Sequence, residues 1–180
     1  MACREVAAQS DHYNQSRGPT PCLSAMLYAA LKFVHILSLI VWIGGMVFAH
    51  FFLRPATLSL EPPQRLKLMH DVLQRFFAAV SVAVVLVLGS GLWMIGNVAK
   101  AAAQSGGRFA MPLSWTLMAT IGLVMMAIFG HIRFALYKRL RVAVAASDWA
   151  AGGKALASIR TLVGVNLALG VLTVAIVFLL

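Results

Sequence analysis

Residues 31–55, LKFVHILSLIVWIGGMVFAHFFLRP, decide the fold because they carry no charged side chain from Phe33 to Leu53. A helix needs about 20 apolar residues to cross the hydrocarbon core of a bilayer. Three further charge-free runs of similar length follow at 76–99, 109–132 and 161–180. The sequence therefore predicts an all-α integral membrane protein, a four-helix bundle that contacts the lipid bilayer on all sides.

The composition agrees with this fold class and limits the kinds of function that fit in the chain. Of 180 residues, 61% are hydrophobic and 11% are charged, whereas a soluble domain has about 25% charged residues. No Ser-His-Asp set, phosphate-binding glycine loop, CxxC or HExxH motif is present. Since little chain is left outside the four runs, any function must lie within the bundle or at its two ends.

The basic residues predict how the bundle is oriented. Lys and Arg number 15 against five Asp and Glu, which gives a net charge of +10. Ten of them lie at or between helices one and two or helices three and four: Arg54, Arg65, Lys67, Arg75, Arg133, Lys138, Arg139, Arg141, Lys154 and Arg160. The positive-inside rule places this side in the cytoplasm and both chain termini in the periplasm, in a bacterial inner membrane. Topology thus explains the charge without a nucleic-acid partner.

Short connections favour an up-down-up-down arrangement of the helices. We expect the helices at about 23–53, 70–98, 112–141 and 158–180, with the first ending before Pro55 and the loop after it broken by Pro62 and Pro63. The segment AVAASDWAAGGK, residues 143–154, is expected to be a loop or an amphipathic surface turn.

The first 25 residues differ from the rest of the chain. Residues 1–25 are polar, contain Cys3 and Cys22, and lack the apolar region of a signal peptide. Met26 opens the more typical membrane sequence MLYAALKFVHI. We therefore divide the chain into an N-terminal extension, 1–25, and a transmembrane domain, 26–180, and leave open whether Met1 or Met26 is the natural start.

Two histidines lie in the first membrane segment. His35 and His50 are 15 residues apart, so both face one side of the helix at positions separated by about 22 Å along its axis. An ionisable residue inside a membrane is by default a candidate functional residue. Membrane cytochromes hold two stacked haems with histidines at such positions, but they also need histidines on neighbouring helices.

The predicted topology brings three histidines to the cytoplasmic side: His50, His70 and His131. Imidazole is a good ligand for haem iron and for copper, zinc and iron ions. A pair of these residues is therefore a candidate for binding a b-type haem or a metal ion. Alternatively, each is an interfacial histidine that bonds to water or a lipid headgroup.

His35 has other neighbours on the outer side. Lys32 precedes it by one helical turn, and Met94, Met111 and Met118 are expected at the same depth. Thioether and imidazole ligands suit Cu(I), which makes His35 and the three methionines a candidate copper site. Plain packing of the methionines and snorkelling of Lys32 remain the alternatives.

Three features occupy the middle of the membrane segments. Trp42 predicts a large planar or aromatic neighbour, because tryptophan otherwise prefers the interface. Gly44 and Gly45 predict a kink or a close helix contact. Asn166 is expected to form a hydrogen bond across the bundle.

The first helix resembles the opening of the copper-resistance protein D (CopD) family. The matching positions are Lys32, His35, Trp42, Gly44, Gly45, Arg54 and Pro55, and the stretches 75–93, 136–144 and 159–170 are also similar. The resemblance implies an inner-membrane protein of copper uptake or tolerance, which works beside a periplasmic copper carrier. Full-length members have about eight helices, so a four-helix member needs a homodimer to complete a transport path.

A second, more distant resemblance is to the HemJ-type protoporphyrinogen oxidases, which share the Lys32, His35 and Trp42 pattern. It implies a bound haem b and an enzyme that oxidises a porphyrinogen, with His35 and Lys32 important. The exit HFFLRP, residues 50–55, matches that family only in part. The sequence thus leaves three functions open, in this order: copper handling, a haem b oxidoreductase, and a structural membrane subunit without a cofactor.

Overall fold

Four long helices form the structure, a computed structural model that describes residues 21–106 and 110–179. Their bounds are as follows: α1 comprises Pro21–Val47, a π-helical segment Phe48–Leu53 and Arg54–Ala56; α2 is Pro62–Gln104; α3 comprises Leu113–His131, a π-helical segment Ile132–Leu136 and Tyr137–Ala145; α4 is Trp149–Leu179. All four are long and apolar enough to cross a membrane. The predicted all-α membrane fold is confirmed, and residues 1–20 of the predicted extension 1–25 lie outside the described residues, as do residues 107–109 and Leu180.

Helices α1 and α2 run in opposite directions where they touch. On α1 and α2, His35 contacts Ser90 whereas Gly45 lies against Phe76, so residue numbers rise on one helix and fall on the other. Helix α1 packs mainly along α2, and α3 packs mainly along α4. We call the end with the connections 57–61 and 146–148 the basic end, and the end with the connection 105–112 the opposite end.

The predicted end of the first helix and the predicted start of the second are wrong, and both errors concern prolines. Pro55 lies within Arg54–Ala56, which follows the π-helical segment, so α1 continues past the expected stop. Pro62 and Pro63 form the first turn of α2 instead of a loop. The first turn of a helix tolerates proline because its N–H groups have no intrahelical acceptor.

The segment 143–154 was also predicted wrongly. Only residues 146–148 lie between α3 and α4, and Trp149 already begins α4. The carboxylate of Asp148 accepts a hydrogen bond from the Ala151 N–H at 2.9 Å, which satisfies one free N–H group of the first turn. Gly152 is buried and lets the Leu66 side chain approach, so this turn belongs to the packed bundle.

Helix α2 extends well beyond the bilayer. Its 43 residues span about 65 Å at 1.5 Å per residue, compared with about 30 Å of hydrocarbon. The charge-free part begins at Phe76, so the preceding turns with Arg65, His70 and Asp71 project from the basic end. This projection places charged groups of α2 beside those of α1 and α4.

Aromatic rings fill the centre of the bundle. Trp42 is 2% exposed, and its ring meets Phe129 edge to face with the centroids 6.0 Å apart. Phe77 continues the contact, 5.9 Å from Phe129 and 5.3 Å from Tyr137. Edge-to-face pairs at these distances are favourable geometries for aromatic rings. The prediction that Trp42 packs against an aromatic neighbour is confirmed.

Asn166 is a buried polar residue of α4. Its amide donates a hydrogen bond across the bundle to the Met46 sulfur at 3.7 Å, as expected. Its Oδ1 atom has no hydrogen-bond partner among the described residues. Because thioether sulfur is a weak acceptor, this amide holds α4 to α1 only modestly.

Gly44 and Gly45 play different parts in the contact between α1 and α2. A Cβ atom on Gly45 would lie 2.2 Å from the Phe76 ring, whereas one on Gly44 would meet nothing within 4 Å. The close helix contact predicted for this pair is thus confirmed for Gly45.

We expect Gly45→Ala to lower the free energy of unfolding by about 1–3 kcal/mol, because the Phe76 ring must move out of a packed contact. Gly44→Ala is the matched control and should be neutral or slightly stabilising, since alanine favours a helix. Thermal unfolding of both variants in detergent measures the difference. Equal melting temperatures for the two variants would show that the contact is not tight.

Candidate functional site

His35 lies at the contact between α1 and α2. Its side chain is half-buried, and its Nδ1 atom is 3.0 Å from the hydroxyl oxygen of Ser90. Ser90 itself is 4% exposed. The histidine of the predicted copper site is therefore bonded to a buried polar partner on the neighbouring helix.

The hydrogen bonds of Ser90 indicate which ring nitrogen of His35 carries the proton. The Ser90 hydroxyl donates to the backbone carbonyl of Leu86, one turn earlier, at 2.5 Å. When the Ser90 proton serves this bond, Ser90 Oγ acts as an acceptor and His35 Nδ1–H is the donor. The Nε2 atom then keeps its lone pair and is the nitrogen available to a metal ion.

Gly91 provides the space beside this histidine. A Cβ atom at position 91 would lie 3.4 Å from Cε1 of the His35 ring. This distance is tighter than most contacts, so glycine keeps the surface of α2 low where the imidazole lies. We call the surface of Ser90 and Gly91, on which the imidazole ring lies, the seat on α2.

The other predicted copper ligands lie at different places relative to this seat. Met94 is half-buried and follows Ser90 by one turn, so it shares the α2 face that meets α1. Met111 precedes α3 and Met118 lies within it, and α3 packs chiefly along α4. Lys32 is exposed on α1, one turn before His35. The structure thus brings Met94 to the helix face that holds His35.

Charged and thiol ligands are not clustered around a common point in the described part of the chain. Within residues 21–106 and 110–179, no group of three His, Cys, Asp or Glu side chains has the spacing to hold a metal ion. A copper site at His35 stays a prediction, and Met94 is the predicted thioether on the α2 face that meets α1.

His70 lies at the basic end with both ring nitrogens engaged. Nδ1 is 3.0 Å from the Asp71 carboxylate and Nε2 is 3.2 Å from the Tyr137 hydroxyl. The His70 and Tyr137 rings also stack, with centroids 5.5 Å apart and an interplanar angle of 14°. The guanidinium of Arg133 lies 5.4 Å from the Tyr137 ring centroid. His70 therefore belongs to a polar contact that joins α2 to α3.

We expect Tyr137→Phe to lower the free energy of unfolding by about 0.5–1.5 kcal/mol, the usual net value of one hydrogen bond. The phenyl ring keeps the contacts with Phe77 and the stacking on His70, so only the hydroxyl is lost. Chemical denaturation in detergent measures the change. An unchanged stability would mean that water replaces the hydroxyl at His70 without loss.

His50 and His131 have different surroundings. His50 lies on the π-helical segment of α1, half-buried, and lines a cavity at the basic end together with arginine side chains. His131 is exposed at the end of the first part of α3. The three histidines share a depth at this end of the bundle but not an environment. His50 lines a cavity, His70 contacts a tyrosine, and His131 lies at the protein surface. A haem held by two of them stays a prediction, and the engaged nitrogens of His70 give it no support.

Comparison with known families adds one finding. The family model described as "Copper resistance protein D" matches residues 70–180. The chain belongs to the CopD family. No curated protein and no solved structure matches the chain.

The CopD match and the most specific part of the sequence resemblance lie on different parts of the chain. The match begins at residue 70 and covers most of α2 and all of α3 and α4. The individual positions that carried the resemblance, including Lys32 and His35, lie on α1, outside that range, whereas the similar stretches 75–93, 136–144 and 159–170 lie within it. CopD membership is confirmed, and with it a multi-pass membrane protein of the copper-resistance group. The resemblance to HemJ-type enzymes and the functional role of His35 stay predictions.

Sequence reasoning missed the residues that surround His35 on α2. Ser90 and Gly91 are part of the tripeptide Gly89-Ser90-Gly91 inside an otherwise apolar helix. A polar residue between two glycines at membrane depth is a usable signal, because it marks a place where α2 offers both a hydrogen-bond partner and room for a neighbouring side chain.

Proposed function

We propose that this CopD-family protein handles copper in the bacterial inner membrane and that the His35 imidazole is its leading copper ligand. The observation that carries the proposal is the contact between His35 Nδ1 and Ser90 Oγ at 3.0 Å. With Nδ1 bonded to Ser90, Nε2 is the ring nitrogen that would bind copper in this proposal. Metal-binding histidines usually donate their second ring N–H to such an outer partner.

The residues around His35 suit Cu(I), as cargo, better than harder cations. Imidazole and thioether are soft or borderline ligands, and Cu(I) is the soft ion among the common biological metals. Met94, on the same α2 face as Ser90, supplies a thioether.

Orientation and partners follow from the charge distribution as part of the same proposal. The basic end faces the cytoplasm under the positive-inside rule, so His35 lies toward the periplasm with both termini. A copper ion would then be exchanged with a periplasmic copper carrier. Because full-length CopD proteins have about eight helices, a homodimer of this four-helix chain would complete a path.

A titration of the purified protein with Cu(I) tests the proposal. Under reducing conditions and with a chromogenic chelator as competitor, we expect stoichiometric binding that withstands the chelator. The absorption spectrum of the same sample before titration is the control, since a Soret band would favour the haem b alternative. A colourless protein that gives up all Cu(I) to the chelator would contradict copper handling and leave a structural role.

A further inference from the structure

Three arginines and a histidine surround one cavity at the basic end of the bundle. Arg54 comes from α1, Arg65 from α2 and Arg160 from α4, and His50 joins them from the π-helical segment. The space open to the centre of a water molecule is about 50 Å³, compared with about 10–15 Å³ needed for one water. The cavity therefore has room for a small polyatomic group.

The positive charges around this cavity act on one another, and two of the three arginines are half-buried, whereas Arg54 is exposed. Arg65 and Arg160 are half-buried, and the charges of Arg54 and Arg65 both act on Arg160. The remaining wall is mostly apolar: Ala49, Leu58, Met69, Leu73, Phe76, Leu156, Ile159 and Val163. Like charges beside apolar walls repel each other more than in open water, because less water screens them.

No carboxylate of the described residues balances these charges directly. The lining contains no Asp or Glu, and in the described ranges 21–106 and 110–179 no arginine forms a salt bridge with a carboxylate. Partly buried charges are normally paired. The arrangement thus calls for an anion from outside the chain.

We infer that the cavity between α1, α2 and α4 binds a phosphate group, held chiefly by the guanidinium groups of Arg65 and Arg160. Guanidinium groups donate paired hydrogen bonds that match the oxygens of a phosphate. The site lies where the charge-free part of α1 ends at Leu53, at the level of the lipid headgroups. The phosphate group belongs either to an anionic phospholipid or to free inorganic phosphate.

The general preference for basic residues on one side of a membrane does not explain this cavity. That preference needs positive charge near the headgroups, and exposed residues such as Arg75 and Arg139 satisfy it at the surface. Arg65 and Arg160 instead reach one shared space from two helices. The π-helical segment that brings His50 there is a further sign, since such segments occur frequently at functional sites.

Two probes test the inference and separate the two sources of phosphate. The first is inorganic phosphate, compared with chloride at equal ionic strength, with the melting temperature of the detergent-purified protein as readout. The second is phosphatidylglycerol, compared with a diacylglycerol of the same acyl chains, with retention in native mass spectrometry as readout. Stabilisation by the first identifies a free-anion site, whereas selective retention of the second identifies a lipid site.

Matched variants show whether the cavity is responsible. Arg160→Gln should weaken binding of the responsive probe by about tenfold to a hundredfold, the usual effect of losing a charged hydrogen-bond donor. Arg75→Gln removes the same charge from an exposed position on α2 and should leave binding unchanged. Arg65→Gln repeats the test at the second half-buried arginine if Arg160→Gln melts lower than the unaltered protein without any probe.

Two results would overturn the inference. One is that neither probe is preferred over its comparison by the unaltered protein. The other is that Arg75→Gln weakens binding as much as the cavity variants do, which would show that overall surface charge holds the phosphate.

Discussion

Replacing His35 with alanine should lower the affinity of the purified protein for Cu(I) by at least about 100-fold, more than the 10–100-fold that loss of an outer-shell partner causes. The imidazole supplies the nitrogen that binds copper in the proposed site, and alanine has no atom that can replace it. Thermal stability should change little, because His35 is only half-buried and its ring rests on Gly91. Competition titration with a Cu(I) chelator measures the affinity.

His131→Ala is the matched control for this experiment. His131 is an exposed histidine near the basic end of α3, so its loss removes an imidazole without touching the seat on α2. Its affinity for Cu(I) should equal that of the unaltered protein. If His131→Ala loses affinity and His35→Ala keeps it, copper binds at the other end of the bundle and the assignment of His35 is wrong.

Ser90→Ala should lower the affinity for Cu(I) by about 10–100-fold while His35 remains in place. Without the serine oxygen, the His35 ring loses the acceptor that holds Nδ1–H at 3.0 Å and directs Nε2 to the metal. Either tautomer and several ring orientations then become accessible. The same chelator competition measures this smaller effect.

Ser81→Ala controls for the loss of a serine hydroxyl from α2. The Ser81 hydroxyl donates to the Phe77 carbonyl one turn earlier at 2.7 Å, the same kind of local bond that Ser90 makes to Leu86. Ser81→Ala should therefore bind Cu(I) normally. Equal affinities for Ser81→Ala and Ser90→Ala would mean that the Ser90 hydroxyl matters only for its hydrogen bond within α2 and does not orient His35.

The fold could be predicted because hydrocarbon imposes a strict rule on the chain. Four charge-free runs of about 20 residues can only be spanning helices, since backbone groups must be bonded within each segment. Helix ends outside the hydrocarbon obey no such rule. The early start of α2 at Pro62 and of α4 at Trp149 depends on a proline-tolerant first turn and on the cap by Asp148.

Of the candidate site, only the residue on α1 could be predicted from the sequence. His35 stands out because a titratable ring is expensive in an apolar run. Ser90 does not, because a serine in a membrane helix usually bonds to the carbonyl one turn before it, as Ser81 does. Only the packing of α1 on α2 distinguishes the two serines.

A shared depth in the membrane did not predict which histidines lie close together. His50, His70 and His131 share a level, but their directions around the helix axes differ, and two π-helical segments shift the faces of α1 and α3 near that level. A π turn changes the number of residues per turn, so periodicity read from the sequence no longer gives the facing side. The cavity with Arg65 and Arg160 was missed because their two helices, α2 and α4, are distant in sequence and only the packed bundle brings these residues to one space.

X-ray absorption spectroscopy of the Cu(I)-loaded protein tests the central claim most directly, because imidazole ligands give a distinct multiple-scattering signal. We expect that signal, together with sulfur scattering, in the unaltered protein and its loss in His35→Ala. Copper bound with the same imidazole signal in both proteins would contradict the assignment of His35 as the leading ligand.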